Sequence, residues 1–391
     1  MSLCTRANSY PFFEVKNLNY FGEMIMLGPW RLCVPTAGYG KSRFPCVKFF
    51  LAVHSQHKSE YVLMKTADLT CSDAPAALNM LRAEEAILKH LHSRSVTGIV
   101  LQHGLYYSHE DEEDNEQMTG AATPGVEKMV GLALTNYIAS DYDVNSVHWT
   151  TLWDLVGESH VLGQLEEKAS VQLIRRIAAV LLAVHEAGVV MLQLSLHDVA
   201  YNITTEEIRL TNFSHALMVG DKELVDLDAD TLQSITTPPD MTADMAYPVR
   251  KADVWSLGLM LHKIISCNMP HEMENAQPQG LHGVAVLDNG WQIPCEPALH
   301  QYTRNFISLL GWPFHDSRAS SEEAFAIAEM CTTFFSRMAG EGVEHDESAD
   351  YGENEDDEEE ARCFTQGDDH QSDGLDMEEM MYQILAQHSY M

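Results

Sequence analysis

The chain has 391 residues, of which 45% are hydrophobic and 21% charged, the composition of an ordinary soluble globular domain with room for a tail. Its formal net charge of -34 argues against nucleic acid as a direct partner, because phosphate binding needs a basic surface, and favours a basic patch on a protein. No apolar run reaches the roughly eighteen residues of a membrane-spanning helix and no basic stretch precedes an apolar one at the start, so no membrane partner is expected.

Eighteen acidic residues and one arginine lie between Glu341 and Met391, which puts half of the net charge there. Such a stretch cannot bury enough apolar surface to offset its ordering entropy, so residues 339–391 are expected to be a disordered acidic tail. Within it, Met377 to Leu385 could pair with a partner as a short amphipathic helix. The eight cysteines (Cys4, Cys33, Cys46, Cys71, Cys267, Cys295, Cys331 and Cys363) have no paired spacing. That pattern fits reduced thiols inside a cell, in cytoplasm or nucleus, better than a disulfide framework or a zinc site.

Residues 1–28 show no clear period and read as an N-terminal extension. Three β-prone runs follow, Trp30 to Val34, Cys46 to Val53 and Tyr61 to Lys65, with turn signals between them. A helix is predicted over Pro75 to Leu91, where proline is tolerated in the first turn. Two more strands are expected at Gly98 to Tyr107 and Lys128 to Ile138, separated by an acidic loop from Glu110 to about Pro124. Beyond Val144 the pattern turns helical, at Thr151 to Val156, Glu166 to Ala187, Ala252 to Ser266, Gln301 to Leu310 and Ser321 to Arg337. Short strands at Val189 to Met191 and Ile208 to Leu210 bracket a loop. Strands with one helix, then mostly helices, predict an α+β chain of two unequal lobes.

The order of these elements and several short motifs resemble the eukaryotic protein kinase superfamily over about residues 29–338. The small lobe would cover about 29–140 and the large lobe about 141–338. Lys251-Ala-Asp253-Val-Trp-Ser-Leu-Gly-Leu-Met-Leu261 is similar to the central large-lobe helix whose aspartate anchors the catalytic loop. His185-Glu-Ala-Gly-Val-Val190 looks like the helix end and turn before that loop. Pro238-Pro-Asp240 stands where the family has Ala-Pro-Glu, which implies an Asp240–Arg318 ion pair that, if buried, costs about 3–5 kcal/mol to break. In the small lobe, Val62-Leu-Met-Lys65 resembles the third-strand lysine motif, and Glu84-Glu-Ala-Ile-Leu88 supplies that lysine's partner in Glu84. The resemblance further implies Thr135 as gatekeeper, Asn136 to Ile138 as hinge, and a buried column of Leu88, Phe213 and Met191.

Phosphoryl transfer by a kinase needs a glycine loop over the phosphates, the lysine, metal-holding acids and a carboxylate that accepts the hydroxyl proton. Pro35-Thr-Ala37-Gly-Tyr-Gly40 occupies the glycine-loop position with only Gly40 in place, and Pro35 removes a backbone N–H. Asn212-Phe213-Ser214 stands over Asp-Phe-Gly, which sets Met191-Leu192-Gln193 over His-Arg-Asp and Asp198 over the metal-binding asparagine. The catalytic aspartate is thus Gln193, whose amide lacks useful basicity. Placing the dyad at His197-Asp198 instead leaves too few residues before Asn212, and Asn202 falls four rather than five residues later.

Asn212 and Asp198 have exchanged the family's acid and amide, so one carboxylate remains for a metal, and a neutral amide holds Mg²⁺ less well. Weak ATP binding through Lys65, Glu84, Gly40, Asp198 and Thr135, with or without Mg²⁺, and a cleft filled by side chains both stay open. The resemblance therefore implies a pseudokinase: a regulator or scaffold that docks a kinase, its substrate or another protein. A divergent Ser/Thr kinase with residual activity is the alternative, and a kinase-fold transferase of another group a third.

Overall fold

The computed structural model describes residues 25–35, 44–57, 60–108, 128–135, 149–157, 166–227, 237–242, 245–266, 299–311 and 314–340. The glycine-loop residues 36–40, the hinge 136–138, the acidic loop and the tail beyond 340 lie outside them.

The N-terminal part is a six-stranded antiparallel sheet with the order β1-β2-β3-β4-β6-β5. Its strands are β1 (Met26–Leu27), β2 (Trp30–Pro35), β3 (Val47–His54), β4 (Tyr61–Asp68), β5 (Gln102–Tyr107) and β6 (Met129–Thr135). The sheet starts at Met26, inside the stretch expected to be an extension, because Met26 and Leu27 pair with Arg31 and Trp30. β4 is buried on both faces. Val62 and Met64 point into one apolar cluster with Leu27, Trp30 and Ala133, whereas Leu63 and Ala67 point into the main core. Lys65 shares the second face by the two-residue period of a strand.

Against that face packs α1 (Ala74–Ser93), with Pro75 in its first turn. Its buried residues Ala77, Leu81, Glu84, Leu88 and Leu91 recur at alternating spacings of four and three, the stripe of an amphipathic helix. Glu84 is the charged member of that stripe, so the helix itself carries a carboxylate into the core. The strand expected from Gly98 begins only at Gln102. Gly98 has φ +77°, and a Cβ there would sit 2.4 Å from Val180, so the chain turns at this point instead of extending.

The C-terminal part is mostly helical: α2 (Leu152–Gly157), α3 (Glu167–Glu186), α4 (Val249–Ser266), α5 (Gln301–Leu310) and α6 (Ser321–Gly340). Two small sheets accompany the helices. One has the order β10-β9-β7, with β7 (Trp149–Thr151), β9 (Val199–Asn202) and β10 (Ile208–Leu210); the other pairs β8 (Val189–Val190) with β11 (Leu217–Met218). Thr151, expected to open a helix, closes β7 because it pairs with Ala200. From Ala252 to Ile265 every residue of α4 is buried, which makes it the central helix of this part. The two parts are joined through the backbone, where Val100 N–H donates to Leu210 C=O and Leu210 N–H to Gly98 C=O, both at 2.8 Å. Helices and sheet thus make an α+β chain. Among the described residues no helix is long and apolar enough to cross a membrane.

Candidate functional site

The polar groups of the candidate site converge between the sheet and the helical part. Lys65 Nζ donates to Glu84 Oε2 at 2.7 Å, with both side chains almost wholly buried, and to Asn212 Oδ1 at 3.0 Å. The other oxygen of Glu84 accepts from Phe213 N–H at 3.0 Å. Asn212 Nδ2 in turn donates to Asp198 Oδ1 at 2.8 Å. The orientation of the Asn212 amide follows from chemistry: a lysine ammonium has no acceptor, so it must face the amide oxygen, which leaves the NH₂ for the carboxylate. Ser214 adds its hydroxyl to Asn212 Oδ1 at 2.7 Å.

Asp198 ends a short 3-10 turn over Leu196–Asp198 and is itself capped. Ser195 N–H and Oγ–H both donate to Asp198 Oδ2, at 2.9 and 2.6 Å, while Asp198 N–H returns to Ser195 C=O. Ser195 was not singled out in the sequence. The available signal was a capping pattern, a serine three residues before an aspartate, although a turn of three residues is too short to announce itself. Burial pushes the Asp198 carboxyl above the usual carboxylate range, against the lowering effect of its hydrogen bonds from Ser195 and Asn212.

A carboxyl whose folded pKa is raised holds its proton more tightly in the folded state. Its contribution to stability is full below the unfolded pKa of about 3.9 and is lost as pH rises through the folded value. The melting temperature of wild type minus that of Asp198→Asn should therefore fall as pH is raised from about 4 towards neutral. A difference that grows with pH in thermal scans would contradict this.

Gln193 lies on the same loop. It is half-buried and its N–H closes a tight turn to Met191 C=O at 2.9 Å. The loop is anchored from below by Asp253 of α4, which is fully buried. Asp253 accepts from Met191 N–H and Leu192 N–H, each at 2.7 Å, and lies 2.8 Å from His185 Nε2. Leu192 has φ +64°, a left-handed conformation unusual for leucine, and the Asp253 bond to its N–H holds it there. Upstream, Gly188 has φ +77° and a Cβ on it would meet Gly220 Cα at 2.8 Å, so only glycine lets α3 turn this tightly into β8.

Leu88, Met191 and Phe213 are all buried in the main core cluster. Leu192 and Val190 belong to a second cluster with Val219, Leu227, Met241 and Tyr247, which pins the stretch after Asn212 at both of its described ends. Close by, Arg318 is fully buried, its Nη2 lying 3.1 Å from Asp240 Oδ1 and its Nη1 2.7 Å from Tyr247 Oη. Thr135 Oγ1 lies 2.9 Å from His103 Nε2, at the end of β6. Gly40 is outside the described residues. Among the described residues no group of three or more His, Cys, Asp or Glu could hold a metal ion. Asp198 Oδ1 faces Asn212 and its Oδ2 faces Ser195.

The structure is thus an α+β chain with a buried Lys65–Glu84 pair beneath a sheet and a loop anchored by Asp253 of α4. The chain is 24% identical over 197 residues to serine/threonine-protein kinase 40 of Mus musculus, which covers 49% of this chain and 42% of that protein. The Homo sapiens protein of the same name matches to the same extent, and that of Xenopus tropicalis at 24% over 192 residues. The chain thus spans less than half the length of the curated relatives it matches. No family model matches the chain. This distant similarity suggests the protein-kinase-like superfamily and supports a kinase-like fold.

Proposed function

We propose that this chain is a pseudokinase, a two-lobed kinase-like domain that regulates or scaffolds other proteins through contacts and binds ATP weakly or not at all. The observation that carries this reading is Asn212, a neutral amide between Lys65 and Asp198, where phosphoryl transfer would need a metal-holding carboxylate. Gln193 adds the second loss, since its amide cannot accept the proton of a substrate hydroxyl. The Asp253 anchor and the Asp240–Arg318 pair, which shape the fold, are present, and so is the Lys65–Glu84 pair, the one part of the phosphate-binding set that stands intact. Its partner would be a protein, a kinase, a kinase substrate or another regulated chain. The acidic tail over 339–391 would assist recruitment by meeting a basic patch, in cytoplasm or nucleus.

The curated relatives carry the name of a serine/threonine-protein kinase, and that name favours a second reading, a divergent kinase with residual phosphotransferase activity. Restoring the chemistry separates the two. Asn212→Asp alone would set a second carboxylate against Asp198, so the repair needs Gln193→Asp, Asn212→Asp and Asp198→Asn together. In assays with γ-labelled ATP, wild type should show no transfer and the triple variant should gain it. Transfer by wild type at a rate that the triple repair leaves unchanged would favour the residual kinase and defeat our reading.

A further inference from the structure

We propose that the hydrogen-bonded chain from Glu84 through Lys65, Asn212 and Asp198 to Ser195 is a built-in staple, holding the sheet and α1 onto the catalytic-loop region without nucleotide or metal. In a phosphoryl-transfer site the ammonium and the metal-holding acid keep bonding capacity for phosphates and cation, and the ligand completes the bridge between them. Here the side chains complete it themselves. Asn212 presents an acceptor to Lys65 and a donor to Asp198, and it joins residues 147 and 14 positions away in sequence. Every link is between 2.6 and 3.0 Å. Lys65, Glu84 and Asp198 are buried, which shields the Lys65–Glu84 link from competing water, while Asn212 and Ser195 are half-buried.

The staple is anchored at both ends. Glu84 uses one oxygen for Lys65 and the other for Phe213 N–H, so α1 is tied to the residue next to Asn212 as well as to the sheet. At the far end Ser195 holds Asp198 with two donors. Polarity makes the pair specific. Aspartate at 212 would turn a carboxylate towards Asp198, and asparagine at 198 would turn a donor towards the Asn212 donor. Only opposite partners fit, the pair present here or its inversion.

The pair of opposite partners therefore closes the bridge here, while the amide at 212 leaves no metal-holding acid at that position. It follows that the arrangement of the two parts, and the surface they present together, is fixed without a nucleotide switch. This goes beyond the pseudokinase reading, because a staple of this kind would form whether or not the chain transfers phosphate.

A double-mutant cycle on the full chain tests it, with Asn212→Asp, Asp198→Asn and the pair of substitutions combined. Thermal unfolding and hydrogen exchange at the Phe213 amide and along α1 are the readouts. Each single change should lower the melting temperature and speed exchange at Phe213. The combined variant should recover most of both, a coupling on the order of ten-fold in the unfolding equilibrium. Millimolar ATP with Mg²⁺ should leave exchange in wild type unchanged. Losses that simply add in the combined variant would overturn the staple, and so would strong protection of Phe213 in wild type by ATP with Mg²⁺. Should a single variant fail to fold, Asn212→Ala serves in its place, because it removes both links without adding charge; exchange at Phe213 as slow as in wild type would overturn the proposal. Phosphate transfer by wild type would defeat the pseudokinase reading and leave the staple standing, whereas additivity would do the reverse.

Discussion

Arg318→Ala will cost about 3–5 kcal/mol of folding stability, the range for removing one partner of a buried ion pair. The guanidinium is fully buried and stands 5.1 Å over the Trp255 ring of α4. It donates to Asp240 Oδ1, to Tyr247 Oη and to Lys251 C=O. Burial pushes the Tyr247 phenol well above its usual range, so it stays protonated and relays a hydrogen bond to Asp240 Oδ1 at 2.9 Å. Lys251 closes the group from the other side, with Nζ donating to the carbonyls of His315 and Arg318 at 2.8 Å. Truncating Arg318 leaves a carboxylate short of a cation, a phenol without its donor and a void under Trp255. Arg318→Lys should recover part of the loss through charge alone, since lysine cannot reach three acceptors in a planar fork. Denaturant midpoints at constant m-value measure both variants, and a loss below about 1 kcal/mol for Arg318→Ala would show that the pair is dispensable.

A loss of comparable size, about 3–5 kcal/mol, is expected for Lys65→Met, which strands the Glu84 carboxylate in the core. Lys65 is 1% exposed and Glu84 0%, so water cannot take over the ammonium's role. Replacing both by methionine should recover only part of the loss. The apolar pair fills the space, but Phe213 N–H then loses its acceptor, and an orphaned buried donor costs about 1–3 kcal/mol. Lys65→Met that is as stable as wild type in chemical denaturation would refute a structural role for this lysine. The same result would weaken the staple, because Lys65 is its second link.

The long elements were legible because they carry their own period. The stripe of Ala77, Leu81, Glu84, Leu88 and Leu91 announces α1, and Gln301 to Leu310 was read with the bounds observed. From Ala252 to Ile265 α4 is buried all round and has no exposed face to reveal a period, so its place is read from the Asp253-Val-Trp-Ser-Leu-Gly motif rather than from amphipathicity. Strands β1, β7, β9 and β11 run for two to four residues and were missed. So short a strand is defined by its partner, as Trp149 to Thr151 is by Asn202 to Ala200, and a partner is not written in local sequence.

The candidate site divides in the same way. Residue types at Gln193, Asn212 and Asp198 were readable once the register was set. That Asn212 would join Lys65 to Asp198, and that Ser195 would cap the far end, depends on contacts between segments more than a hundred residues apart and on a turn of three residues. The residue types are thus written in the sequence, while the contacts that join them appear only in the structure.

The most direct measurement is transfer of labelled phosphate from ATP by the purified full chain, alongside Lys65→Arg, which keeps the positive charge beside Glu84. Neither protein should incorporate or transfer label above background at millimolar ATP, with Mg²⁺ or without. Incorporation by wild type that requires Mg²⁺ and disappears in Lys65→Arg would mean that Gln193 and Asn212 do not disable the site.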